Sequence, residues 1–147
     1  MKSFLLKSNK PIIPWGSLPN GIFYEGIVPE GYSLALCPSE NIVILDIDVK
    51  NDKNGFEYIA EVVQIELDDT FYYPTKSGGA HYWIRYTGSK VLKNTSTKFG
   101  LDLRIGARGT NAGGYVKYVH TVDIRQCVHL IKESSNDLNT FLEGLFS

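Results

Sequence analysis

The chain has 147 residues, 43% hydrophobic and 21% charged, with a net charge of −1. That composition suits one globular domain with a sizeable core and excludes collagen-like and low-complexity classes. No apolar run nears the ~20 residues of a membrane span, and three consecutive apolar residues near the N-terminus are too few for a signal peptide, so a cytoplasmic protein with no membrane partner is expected.

Residues 10–31 hold Pro11, Pro14, Gly16, Pro19, Gly21, Gly26, Pro29 and Gly31, which predicts irregular chain wrapping the domain. Residues 32–36 read as a short strand closed by Pro38. A second strand spans 41–49, apolar on both faces until Asp46, as a central strand should be. The turn at 51–55 offers Asp52 or Asn54 as a helix cap. A helix over about 55–67 follows, with Phe56, Ile59, Ala60, Val63 and Leu67 at helical spacing. Asp68 and Asp69 end it, and Phe71 and its two following tyrosines lead to Pro74. A glycine turn at 77–79 opens a strand over 80–86, where His81, Trp83 and Arg85 share one face. A polar loop at 87–98 precedes a strand over 101–105 with Asp102 and Arg104 on one side. A glycine-rich loop spans 106–114 and a strand 115–122. Two helices close the chain, one carrying Ile124, Cys127, Val128 and Ile131, the other Leu138, Phe141, Leu142 and Leu145. This mixture predicts an α+β fold with a mostly antiparallel sheet.

Cys37 and Cys127 lie in apolar stretches without CxxC spacing, which points to free thiols in a reducing cytoplasm and not to a zinc site. Charge is uneven along the chain. Residues 1–75 carry five Lys/Arg against eleven Asp/Glu, whereas residues 76–125 carry nine against two. A neutral protein with one basic third suits an anionic ligand, a nucleotide or nucleic acid, although a solvated basic surface has the same composition.

Asp46 and Asp48 are two apart on a strand, so their carboxylates share a face about 6–7 Å apart. Their repulsion at that distance is on the order of 2–3 kcal/mol. Solvent at a strand end, a basic partner or a divalent cation relieves it. Asp102 ends another apolar segment beside Arg104, and three carboxylates from two strands suit one or two Mg²⁺ or Mn²⁺ ions. In residues 75–81, Gly78 and Gly79 allow close backbone approach to an anion, with Lys76, Ser77 and His81 at the rim as phosphate contacts. Taken alone, each piece is equally a structural feature: a surface ion pair, a tight turn, a strand histidine. His120 and His129 read as structural or surface residues.

At these residues the sequence resembles the prim-pol domain of the archaeo-eukaryotic primase superfamily, the N-terminal domain of plasmid and phage bifunctional DNA primase/polymerases. Four segments carry the resemblance in order: Lys10-Pro11-Ile12-Ile13-Pro14-Trp15, Ile44-Leu45-Asp46-Ile47-Asp48, Ser77-Gly78-Gly79-Ala80-His81, and Leu101-Asp102-Leu103-Arg104 with Gly113-Gly114-Tyr115-Val116 after it. The resemblance covers roughly residues 10–120. It departs after Val116, where Lys117 and Tyr118 replace a proline-serine segment, and the loop at 105–112 is long.

The resemblance implies a single catalytic domain over 1–147 with an RNA-recognition-motif-like sheet flanked by helices. It would lack the zinc-binding stem of some members and any helicase or C-terminal helical domain. It implies template-directed nucleotidyl transfer in plasmid or phage replication. Asp46, Asp48 and Asp102 would be the catalytic, metal-binding acids for Mg²⁺ or Mn²⁺. Ser77, Gly78, Gly79 and His81 would hold the triphosphate. Arg104 would contact phosphate or orient Asp102. Charge and position add Lys76 and Arg108 as phosphate contacts. The expected partners are nucleoside triphosphates, a DNA template and primer, and a replicative helicase or other replication protein in trans. Two further classes fit the same residues: a non-catalytic nucleic-acid-binding accessory module of this fold, and another metal-dependent phosphotransfer or hydrolytic enzyme.

Overall fold

A computed structural model describes residues 1–64, 67, 69–106 and 113–147. In chain order the strands are β1 (Lys2–Lys7), β2 (Lys10–Pro11), β3 (Tyr32–Cys37), β4 (Ile42–Ile47), β5 (Val49–Lys50) and β6 (Lys53–Asn54). After a short helix, α1 (Gly55–Glu57), come β7 (Tyr72–Pro74), β8 (Ala80–Arg85), β9 (Thr95–Ser96), β10 (Leu101–Ile105), β11 (Val116–Tyr118) and β12 (Lys132–Glu133). The helix α2 (Asn136–Phe146) ends the chain.

The strands form two main sheets. One has the order β11-β3-β1-β2, antiparallel throughout. The other runs β12-β8-β4-β10-β9, with β7 also on β8, and only the β12–β8 pairing is parallel. The expected α+β class with mostly antiparallel sheets is therefore what the chain adopts. Among the described residues, no helix is long and apolar enough to cross a membrane. Cys37 is buried and Cys127 half-buried, and no disulfide joins them.

Alternation along the strands explains the layering. Val43, Leu45 and Ile47 on β4, with Leu101, Leu103 and Ile105 on β10, bury one face of the larger sheet under Leu138, Leu142 and Phe146 of α2. The opposite face carries Ile42, Ile44 and Trp83, which pack on Leu36, Val116 and Tyr118 of the smaller sheet. The far side of the smaller sheet is covered by the N-terminal wrap, where Trp15 stacks on Phe4 with ring centroids 5.3 Å apart. The Pro- and Gly-rich segment thus wraps the domain as expected.

Two expected elements differ in extent. The helix read over 55–67 is capped by Asn54, whose Oδ1 accepts the Glu57 N–H at 3.2 Å. It then widens into a π-helix over Tyr58–Val63 and stops at Gln64 in the left-handed region (φ 58°). The strand read over 115–122 keeps its ladder only at Val116–Tyr118. There the smaller sheet ends and the chain turns toward the segment Ile124–Leu130, a 3₁₀ helix.

Candidate metal and nucleotide site

Strand register assembles the site. Asp46 lies directly opposite Asp102 on one neighbour and His81 on the other, and His81 lies opposite Tyr73. These four side chains form one polar row across β10, β4, β8 and β7. The row sits on the face turned to the smaller sheet, beyond the apolar contacts of Ile44 and Trp83. Asp48 follows the end of β4. Its N–H donates to the Gly100 carbonyl at 2.8 Å, and its own carbonyl accepts the Gly55 N–H at 3.0 Å. Gly100 has a positive φ of 81°, and a Cβ there would stand 2.8 Å from the Asp48 carbonyl oxygen. Glycine at 100 is what lets this clamp close.

Asp46, Asp48 and Asp102 each offer a carboxylate oxygen within 4.8 Å of the others, all three half-buried. The structure brings together the three acids singled out in the sequence. Burial pushes the Asp48 pKa up, with the Asp46 charge and then Asp102 adding to it and Lys50 opposing. Asp102 is better supported: it accepts the Thr97 N–H at 3.1 Å, and Arg104 Nη2 lies 3.5 Å from its Oδ2. Arg104 is thereby in place to orient Asp102.

Asp46 is held from the core side. Its Oδ1 lies 3.3 Å from His81 Nε2, and His81 Nδ1 lies 3.2 Å from the Tyr73 hydroxyl. Trp83 Nε1 donates to that same hydroxyl at 3.1 Å. An indole N–H only donates, so the Tyr73 oxygen accepts it; the Asp46 carboxylate only accepts, so in the neutral imidazole Nδ1 is the acceptor and takes the Tyr73 proton. The remaining proton of a neutral His81 sits on Nε2, facing Asp46. Burial raises the Tyr73 pKa well above its ordinary value, so the hydroxyl keeps its proton. His81 is only 7% exposed and both ring nitrogens are occupied within the row.

The glycine turn is built differently from an open anion cradle. Gly78 N–H donates to the Thr75 carbonyl at 3.2 Å, and Thr75 N–H to the Gly79 carbonyl at 3.0 Å. A Cβ on Gly79 would overlap the Ile47 carbonyl, so this glycine lets the turn press against the end of β4. Gly78 and Gly79 shape the turn, and Lys76 and Ser77 are the residues it sends to the site. Both line a cavity of about 370 Å³ together with Asp46, Asp48, Arg104 and Lys117. Arg108 lies outside the described residues.

Sequence reasoning missed part of this wall. His120, read as a surface or structural residue, lines the cavity, and its Nε2 lies 3.0 Å from the Pro74 carbonyl. Its ring is 4.8 Å from that of Tyr73. Lys117 and Tyr115 line it as well. Their only signal in the sequence was a place just after Gly113 and Gly114.

The donor chemistry fits a divalent cation. Three hard oxygen donors converge and no thiolate is among them, a set that suits Mg²⁺ or Mn²⁺. No family model, no curated protein and no solved structure matches this chain.

Proposed function

We propose that this protein is a prim-pol-type nucleotidyltransferase that extends a primer on a DNA template. The observation that carries the reading is the convergence of Asp46, Asp48 and Asp102 within 4.8 Å beside a cavity lined by Lys76, Ser77 and Lys117. Acids for cations on one side and cations for phosphate on the other are what a metal-bound triphosphate requires. An acid-bearing central strand, antiparallel neighbours and helices on one face also support the finer expectation of a primase core with an RNA-recognition-motif-like sheet.

Bound divalent ions would neutralise charge on the attacking and leaving oxygens. The protein's own residues do the rest. Asp46 is oriented by His81 and Asp102 by Arg104 and the Thr97 N–H. Lys76, Ser77 and Lys117 receive the β- and γ-phosphates, and Arg104 stands on the side nearer Asp102. The 3′-hydroxyl of the primer attacks the α-phosphorus, the α–β bridging bond breaks, pyrophosphate leaves and the hydroxyl proton is released to solvent. His81 lines the same cavity and acts on this site through Asp46. The remaining basic residues between Lys76 and Arg125 meet template or primer phosphates, which makes binding sensitive to salt. The setting is the cytoplasm, where thiols stay reduced.

Incubation with Mn²⁺, nucleotides and a labelled primer, with and without template, tests the reading. Template-dependent extension is expected. Breakdown of nucleotide or DNA without template dependence points instead to a hydrolytic enzyme, and DNA binding without incorporation to an accessory module.

A further inference from the structure

One short turn serves two of the three acids. Thr97 N–H donates to Asp102 Oδ1 at 3.1 Å, and the Gly100 carbonyl, on the same turn, accepts the Asp48 N–H at 2.8 Å. The Thr97 hydroxyl braces the turn from within. It donates to the Leu101 carbonyl at 2.6 Å and accepts the Phe99 N–H at 3.3 Å. Asp48 depends on this turn more than Asp102 does. Asp102 sits in the β10 ladder with Arg104 beside it. Asp48 lies between β4 and β5 and, among the described residues, is held through its backbone by Gly100 and Gly55. These two glycines meet without room for a side chain, since a Cβ on Gly55 would overlap the Gly100 carbonyl. Beside that meeting point the Tyr58 and Phe99 rings stack, with centroids 4.4 Å apart and planes 15° from parallel. Neither ring lines the carboxylate cavity.

We propose that Tyr58 and Phe99 are positioning residues of the metal site: their stack fixes the turn at 97–100 against the start of the helix and so sets where Asp48 stands relative to Asp102. This rests on the cation-binding half of the reading above and not on the transfer step. Tyr58 follows α1 directly and opens the π-helix, a widening that often marks functional sites. One side of Tyr58 packs on the core under α2, so the ring ties the turn to the rigid part of the domain. Phe99 stands next to Gly100 and carries that restraint to the clamp on Asp48. The restraint works against charge. Asp48 and Asp102 repel each other, and without a cation nothing but the backbone clamp keeps Asp48 close. A stacked aromatic pair adds buried area and a defined geometry to that clamp. Acids already held at ligating distance lose less freedom when a cation arrives, which tightens its binding.

The test titrates Mn²⁺ alone into the full chain and reads the free ion by electron paramagnetic resonance. Tyr58→Leu and Phe99→Leu keep apolar bulk and remove the stack, whereas Tyr58→Phe and Phe99→Tyr keep it. The two leucine variants change different arms of the clamp, so either one suffices, and a thermal melt checks folding. Each should weaken Mn²⁺ binding about tenfold, as when other groups that orient metal ligands are lost. The double leucine variant should lose no more than either single one, because the two rings act as one contact. Both aromatic variants should bind Mn²⁺ as wild type does. Wild-type affinity in the leucine variants, even with a lowered melting temperature, overturns the proposal and leaves the stack as packing. Equal losses in the leucine and aromatic variants also overturn it. So does unchanged Mn²⁺ affinity with weakened binding of a single-stranded oligonucleotide, which would make the rings, with Lys98 beside Phe99, a strand contact. If wild type binds Mn²⁺ but extends no primer, the transfer reading falls and the variants still decide the positioning role. If wild type binds no Mn²⁺, both fall together.

Discussion

The three acids store electrostatic repulsion that a single substitution should release. At 4.8 Å and an effective dielectric near 20, each pair of ionised carboxylates repels by about 3 kcal/mol. His81 offsets this for Asp46, and Arg104 with the Thr97 N–H for Asp102. Among the described residues Asp48 has no such side-chain partner, and its pKa is raised by burial first and by Asp46 and Asp102 after it. A raised carboxylate pKa means that the folded state favours the protonated form. Stability is therefore lost as pH rises through the folded pKa, and the penalty is complete at neutral pH. Asp48 is half-buried, so solvent screens the pair repulsions of about 3 kcal/mol and leaves a net Coulombic penalty of about 1–2 kcal/mol. Asp48→Asn should accordingly raise Tm at pH 7 by roughly 2–8 °C, using about 2–4 °C per kcal/mol for a chain of this size. The gain should vanish near pH 3, where Asp48 is protonated in both states. Added Mn²⁺ should stabilise wild type by about 2.7 kcal/mol at a hundred times its Kd and stabilise the variant less. Scanning calorimetry at the two pH values, with and without Mn²⁺, reads all of this. A lower Tm for Asp48→Asn at pH 7, or an equal gain at both pH values, refutes the charge argument.

Other substitutions probe the support around the acids. Tyr73→Phe strands the Trp83 N–H and His81 Nδ1, costing about 1–3 kcal/mol in chemical denaturation. It should also weaken Mn²⁺ binding about tenfold by electron paramagnetic resonance, and undiminished affinity would show that the row does not orient Asp46. Gly79→Ala forces a Cβ against the Ile47 carbonyl and should cost about 2 kcal/mol or more; an unchanged melting temperature would contradict the close approach. Lys76→Ala combined with Lys117→Ala should weaken Mn²⁺-nucleotide binding at least about tenfold and flatten its salt dependence, with Tm nearly unchanged. A salt dependence equal to wild type would remove both lysines from the phosphate site.

Much of the site was legible because strand alternation is strict. Asp46, Asp102 and His81 were each placed on a face by parity, and the structure puts them in one row. Parity gave no register, so the meeting of His81 with Asp46, and of Tyr73 with His81, could not be read along the chain. β1 went unseen for a different reason. Phe4, Leu5 and Leu6 are all buried, but the lysines and serine flanking them read as polar. Lys2 is only 1% exposed because its Nζ reaches the Leu18 carbonyl at 2.8 Å, a long-range contact with no local signature. The helix from 55 was found through its apolar spacing, yet its widening into a π-helix breaks that spacing before Leu67. His120 was misplaced because 115–122 alternates like a strand throughout, whereas its partner β3 pairs only with Val116–Tyr118. Past that edge the backbone turns and carries His120 to the cavity wall.

The most direct test of the central claim is primer extension by Asp46→Asn beside wild type, in Mn²⁺, on a templated primer. Asn keeps the shape of Asp46 and its place opposite His81 but removes the charge that holds a cation. Templated extension is expected from wild type and none from the variant, with both proteins folded by circular dichroism. Full extension by Asp46→Asn would contradict the claim.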